Sequence, residues 1–92
     1  MGGKNHADRS RLLNPDYLRY MGTDWVHIRK SAHMTRAALA RKIDVSRPTM
    51  QHLEEYVGTP RIETVLRLIR YWEAQDIVIP RFELVQVNRE DL

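Results

Sequence analysis

Arg47, Gln51 and His52 are spaced so that a single helix would carry all three on one face, with Pro48 beside them. On such a face a guanidinium can fork onto guanine O6 and N7, and a carboxamide can pair with adenine N6 and N7. His52, one turn beyond Pro48, can reach a base or a phosphate. These are the side chains that read base pairs in a major groove, so Arg47, Pro48, Gln51 and His52 form the candidate base-contacting set. The residue types alone leave a plainer alternative open, in which Arg47 grips only a phosphate and Gln51 is merely solvated.

The residues around them fit the same chemistry. Ser46 can cap the helix, which leaves Arg47, Pro48 and Thr49 in its first turn. Proline is tolerated there because its missing N–H would have no partner within the helix. Eleven residues earlier Thr35 can cap a second helix that opens with Arg36. A guanidinium beside the free N–H groups of a helix start suits a phosphate. Thr35, Arg36, Ser46 and Thr49 are therefore the expected phosphate contacts.

Other chemistries find little in the chain. Glu54 and Glu55 are adjacent, so on a helix they point apart and cannot work as an acid–base pair. There is no nucleophile motif and no phosphate-binding glycine loop. The four histidines are scattered with no acidic or cysteine ligands around them, and the chain has no cysteine. The expectation is a protein that is not an enzyme and needs no metal or cofactor.

The elements that must hold these residues can be read from apolar spacing. Leu39, Ala40 and Ile43 share one face of a helix over about 36–43, Asp44 stands at a turn, and Val45 fills the corner. Met50 and Leu53 then repeat on the helix over about 47–56. Two helices joined by a tight turn, with the small Ala40 at their crossing, describe a helix-turn-helix. Upstream, Asn14-Pro15-Asp16 opens a helix that can dock Tyr17, Leu18 and Met21. Thr23 or Asp24 can cap another that runs to about Ala32 and buries Trp25, Ile28 and Ala32. After a loop around Gly58, Thr59 is a candidate cap with Pro60 at the first helical position. The helix over about 61–74 would bury Ile62, Val65, Leu66, Ile69 and Trp72.

Residues 76–87, DIVIPRFELVQV, change to Ile, Val and Phe in partial alternation, which predicts a strand bent at Pro80. One strand cannot satisfy its own backbone, and no second convincing strand is present. Pairing with the same strand of a second copy is the economical solution, through Ile77, Ile79, Phe82, Leu84, Val85 and Val87. A tail packed on the helices, or paired with residues 4–13, is the alternative. The fold class is thus mainly α, a four- to five-helix domain over residues 14–74. A flexible tail over 1–13 precedes it, and a dimerisation strand and short tail over 75–92 follow.

Charge is distributed to match. Over residues 25–53, Arg29, Lys30, Arg36, Arg41, Lys42 and Arg47 face Asp44 alone, a net +5, whereas residues 73–92 carry a net −3. A basic block laid over the helix-turn-helix is the electrostatic footprint expected for phosphate contacts, and it disfavours a purely protein-binding adaptor. No apolar run approaches a membrane span, and residues 1–10 lack the apolar segment of a signal peptide. A soluble, cytoplasmic protein is expected.

Across about residues 21–72 the chain resembles the lambda-repressor-like, or XRE-type, helix-turn-helix family of bacterial and phage regulators. The residues that carry the resemblance are Arg29, Thr35-Arg36, Leu39-Ala40, Val45-Ser46-Arg47, Met50, Leu53-Glu54, Pro60 and Glu63-Thr64-Val65-Leu66. It departs from the family at Asp44, His33 and Tyr56, where glycine is common, and at Arg36, where glutamine is usual. The resemblance implies a partly buried salt bridge between Arg29 and Glu54, with a phosphate contact by Arg29 as the competing role. It also implies a sequence-specific regulator of double-stranded DNA that is bacterial, phage or plasmid encoded and represses from a palindromic operator as a homodimer. The alternative it allows is an antitoxin that neutralises a protein toxin and regulates its own operon.

Overall fold

The computed structural model describes residues 14–81. Among these residues five helices follow one another: α1 (Pro15–Met21), α2 (Trp25–Ser31), α3 (Arg36–Lys42), α4 (Arg47–Glu55) and α5 (Ile62–Ala74). The first four begin at polar caps that the sequence marks. The side chains of Asn14, Asp24, Thr35 and Ser46 accept from the backbone N–H groups of Asp16, His27, Ala38 and Thr49. Each cap satisfies a donor the helix cannot, worth about 1 kcal/mol, and together they fix where α3 and α4 start.

α5 starts differently from the expectation. Arg61 rather than Thr59 is its N-cap residue, no side chain caps it, and Pro60 lies outside the helix. The Pro60 carbonyl instead accepts from the Tyr17 hydroxyl, which ties the α4–α5 loop to α1.

Trp25, Leu39, Met50, Leu53, Val65, Leu68, Ile69 and Trp72 are the large side chains fully sealed in the core. α1 packs on α5 and turns Tyr17, as expected, and Tyr20 inward, whereas Met21 is exposed and Leu18 only half-buried, contrary to the docking expected of them. Ala32 is exposed too, since α2 ends at Ser31. On α5 the buried stripe runs through Leu68 rather than Leu66, because Val65, Leu68, Ile69 and Trp72 fall on one face.

His33, Asp44 and Tyr56 hold left-handed backbone, with φ of 56°, 58° and 57°. These are the positions where the resemblance leads one to expect glycine, so the chain keeps the turns and accepts a cost of roughly 1–2 kcal/mol at each. Tyr56 takes up part of that cost with its own contacts. Its hydroxyl donates to the Thr23 carbonyl, and its ring lies 5.4 Å from that of Tyr20.

Beyond α5 the chain turns at Asp76, φ 63°, and folds back on the helices. The expected alternation is there: Ile79 is 2% exposed and Val78 88%, with Ile77 half-buried against the core. No strand forms among the described residues. The buried Arg19 side chain supplies the donors that a neighbouring strand would otherwise give. It bonds the Ile79 and Pro80 carbonyls at 3.2 and 3.4 Å while pairing with Glu73 at 3.1 Å. Ile77 and Ile79, expected at a contact between copies, thus face this chain's own core. Phe82, Leu84, Val85 and Val87, and the tail over 1–13, lie outside the described residues.

Candidate nucleic-acid interface

α3 and α4 pack across Leu39, Ala40, Met50 and Leu53, all buried. Between them Asp44 makes the left-handed turn and the Val45 N–H donates to the Ala40 carbonyl at 2.9 Å. Arg67, from α5, donates to the Asp44 carbonyl at 3.2 Å and braces the turn from outside. α4 is thereby fixed against α3 and, through the turn, α5 at the surface. Its inward face is Met50, Leu53 and Glu54; Arg47, Pro48, Gln51, His52 and Glu55 are exposed, as the spacing predicted.

The first turn of α4 is tightly organised. Ser46 Oγ accepts from the Thr49 N–H at 3.2 Å and donates to Thr49 Oγ1 at 2.8 Å. Arg47 has no partner among the described residues, so its guanidinium is open to a ligand. Gln51 is not idle: its amide nitrogen lies 3.3 Å from both oxygens of Glu55. An exposed pair at this spacing is worth only about 0.2–0.5 kcal/mol, so a base edge can displace it.

Behind α4 lies a charged cluster that only partly follows from the sequence. Arg29 Nε donates to Glu54 Oε2 at 2.7 Å, and its Nη1 to the Met34 carbonyl at 3.0 Å. Arg29 thus ties the entry to α3 and the end of α4 to α2. Arg36 Nε also donates to Glu54, at Oε1 and 2.7 Å, a contact the sequence offered no means of finding. The two arginines belong to different helices, and Arg36 and Glu54 are eighteen positions apart on separate helices, so no helical period relates them.

Apolar spacing does not single out Tyr20, although it sits three residues from Tyr17 on the same helix face. Its hydroxyl donates to the Leu53 carbonyl at 2.7 Å and so anchors the end of α4 to α1. Burial, with smaller effects from Tyr56 and Tyr17, pushes its pKa up to about 12 from 10.0. Burial and the Asp24 carboxylate push Tyr56 upward as well.

A tyrosine whose folded pKa lies above its unfolded value contributes stability that is intact below the unfolded pKa and is lost as pH rises through the folded one. Thermal melting should therefore fall steeply between about pH 10 and pH 12. Tyr20→Phe should cost about 1 kcal/mol at pH 7, from the lost hydrogen bond, yet melt with a flatter profile across that window. Parallel profiles for the two proteins would remove Tyr20 as the titrating group.

Residues 27–71 match the family model described as Helix-turn-helix. This segment belongs to the lambda-repressor-like, XRE-type helix-turn-helix family. No curated protein and no solved structure matches the chain. The helix-turn-helix makes it a DNA-binding transcriptional regulator, with α4 in the place of the recognition helix. Among the described residues no helix is long and apolar enough to cross a membrane, and no group of acidic, histidine or cysteine side chains could hold a metal.

Proposed function

We propose that this helix-turn-helix protein is a homodimeric repressor that binds a two-fold-symmetric operator through α4 and so occludes a promoter. The observation that carries the reading is the exposed face of α4, where Arg47, Pro48, Gln51 and His52 stand together on a capped, braced helix. Arg47 and Gln51 are assigned to base edges, with Pro48 and His52 alongside. Thr35, Arg36, Ser46 and Thr49 are assigned to the flanking phosphates. Dimerisation is assigned to the apolar run beyond Arg81, which includes Phe82, Leu84, Val85 and Val87.

An antitoxin role is favoured by one feature, the acidic and apolar character of residues 73–92, net −3. Such a segment repels DNA and suits a basic protein partner. A toxin-like reading frame beside the gene, and a tight complex between the two products, would decide for it.

The DNA assignment is tested by selecting duplexes from a random pool with the purified protein. The selected sites should show two half-sites with centres roughly 10 bp apart, bound with affinity that falls steeply as salt rises. Arg47→Ala should lose roughly 1–3 kcal/mol and relax preference at one base position in each half-site. A selection that returns no preferred sequence would sink the reading.

A further inference from the structure

Glu54 has no side-chain exposure, so it cannot touch nucleic acid itself, yet it receives two arginines, one on each oxygen. Arg29 alone would neutralise it and would join α2 to α4. A second guanidinium is electrostatically surplus, and bringing a surplus charge toward a buried site costs desolvation. The cluster of Arg29, Glu54 and Arg36 carries one unit of excess positive charge.

That charge has one way out. Arg29 is buried, with Nη1 committed to the Met34 carbonyl. Arg36 keeps 34% of its side chain exposed, and among the described residues only its Nε is engaged. Its remaining donors belong to the first residue of α3, directly after the Thr35 cap. Anchored at Nε, the side chain has lost most of its rotamer freedom before any ligand arrives, so binding need not order it. A guanidinium can donate sideways to a carboxylate and still present a two-pronged edge to a phosphate, whereas an ammonium cannot.

We propose that Glu54 is a positioning residue for DNA binding: from the core it holds Arg36 as a preset fork for one backbone phosphate beside α3. This rests on the DNA-binding reading above and adds to it a role for a residue that never meets DNA. The excess charge that looks wasteful in the free protein is matched when the phosphate arrives.

The test measures affinity, as a function of salt, for a duplex selected by the wild-type protein and for a random duplex. Arg36→Gln should weaken both duplexes by the same factor, about tenfold, and reduce the salt slope by about 1. Arg36→Lys keeps the charge but loses the fork, so the slope should stay near wild type while affinity still falls severalfold. Glu54→Gln, studied below its own melting temperature, should weaken binding in the wild-type background but add little in the Arg36→Gln background. Wild-type affinity in Arg36→Lys, or independent multiplying effects of Arg36→Gln and Glu54→Gln, would overturn the proposal. If Glu54→Gln fails to fold, the comparison of Arg36→Lys with Arg36→Gln decides alone. Failure of the wild-type protein to bind any duplex would instead sink the DNA reading, and this proposal with it. Normal wild-type binding with silent Arg36 variants would sink this proposal only.

Discussion

Glu54→Gln is expected to remove about 3–5 kcal/mol of stability, the usual cost of breaking a buried ion pair by deleting one partner. The carboxylate is fully enclosed and sits between Arg29 and Arg36, so the variant leaves two guanidiniums facing each other with no counter-charge. A domain of this size has only about 5–15 kcal/mol in total, so the variant should melt far below the wild type. Arg29→Met should cost less than Glu54→Gln, because Arg36 still pairs with the carboxylate, although the Met34 carbonyl loses its donor. Arg36→Gln should cost least, since that side chain is a third exposed. Urea or thermal unfolding followed by circular dichroism reads the order directly. Equal, small losses in all three would mean that the cluster is solvated and that the helices are tied elsewhere.

The ranking depends on a contact that sequence could not supply, and this marks where sequence stops being informative here. Helix starts were legible because Asn14, Asp24, Thr35 and Ser46 act locally, each on an N–H two or three residues away. The outward face of α4 was legible because apolar period decides it, and Asp44 was legible as a turn because few side chains tolerate that backbone. Arg36–Glu54 and Arg67–Asp44 join residues with no periodic relation, so only the packed fold brings them together. α5 misled for a related reason. Thr59-Pro60 has the local signature of a helix start, but the Tyr17 hydroxyl, from α1, holds the Pro60 carbonyl and the helix begins later. The alternation over 76–80 is present in the structure, but its cause is not a sheet. Ile77 and Ile79 alternate inward to complete this chain's core, and the buried Arg19 takes the carbonyls that a sheet would have used.

Truncation after Arg81 is expected to leave a folded, monomeric domain whose affinity for the two-fold site falls by about 10²-fold or more. Avidity from coupling two half-site contacts is typically worth 10²–10⁴, and it disappears when the copies are no longer joined. The cut keeps Ile79, the last buried core residue among the described ones, and both carbonyls that Arg19 holds. It removes Phe82, Leu84, Val85 and Val87, the apolar residues left over once Ile77 and Ile79 are assigned to the core. Affinity for a single half-site should barely change, since α3 and α4 are untouched. A cut after Ala74 should behave otherwise. It strips Ile79 from the core, at roughly 1.5–3 kcal/mol, and leaves the buried Arg19 with its carboxylate contacts alone. Loss of binding after that cut would therefore report unfolding as much as loss of pairing, and only the cut after Arg81 separates the two. Sedimentation of the full chain and of the Arg81 truncation gives the assembly state. A truncated protein that stays dimeric would take the interface away from the run beyond Arg81, and exposed Met21 and Tyr56, which line one cavity, and Val78 would be the first residues to change. A monomeric full chain would remove the homodimer altogether and leave each recognition helix to bind its half-site alone.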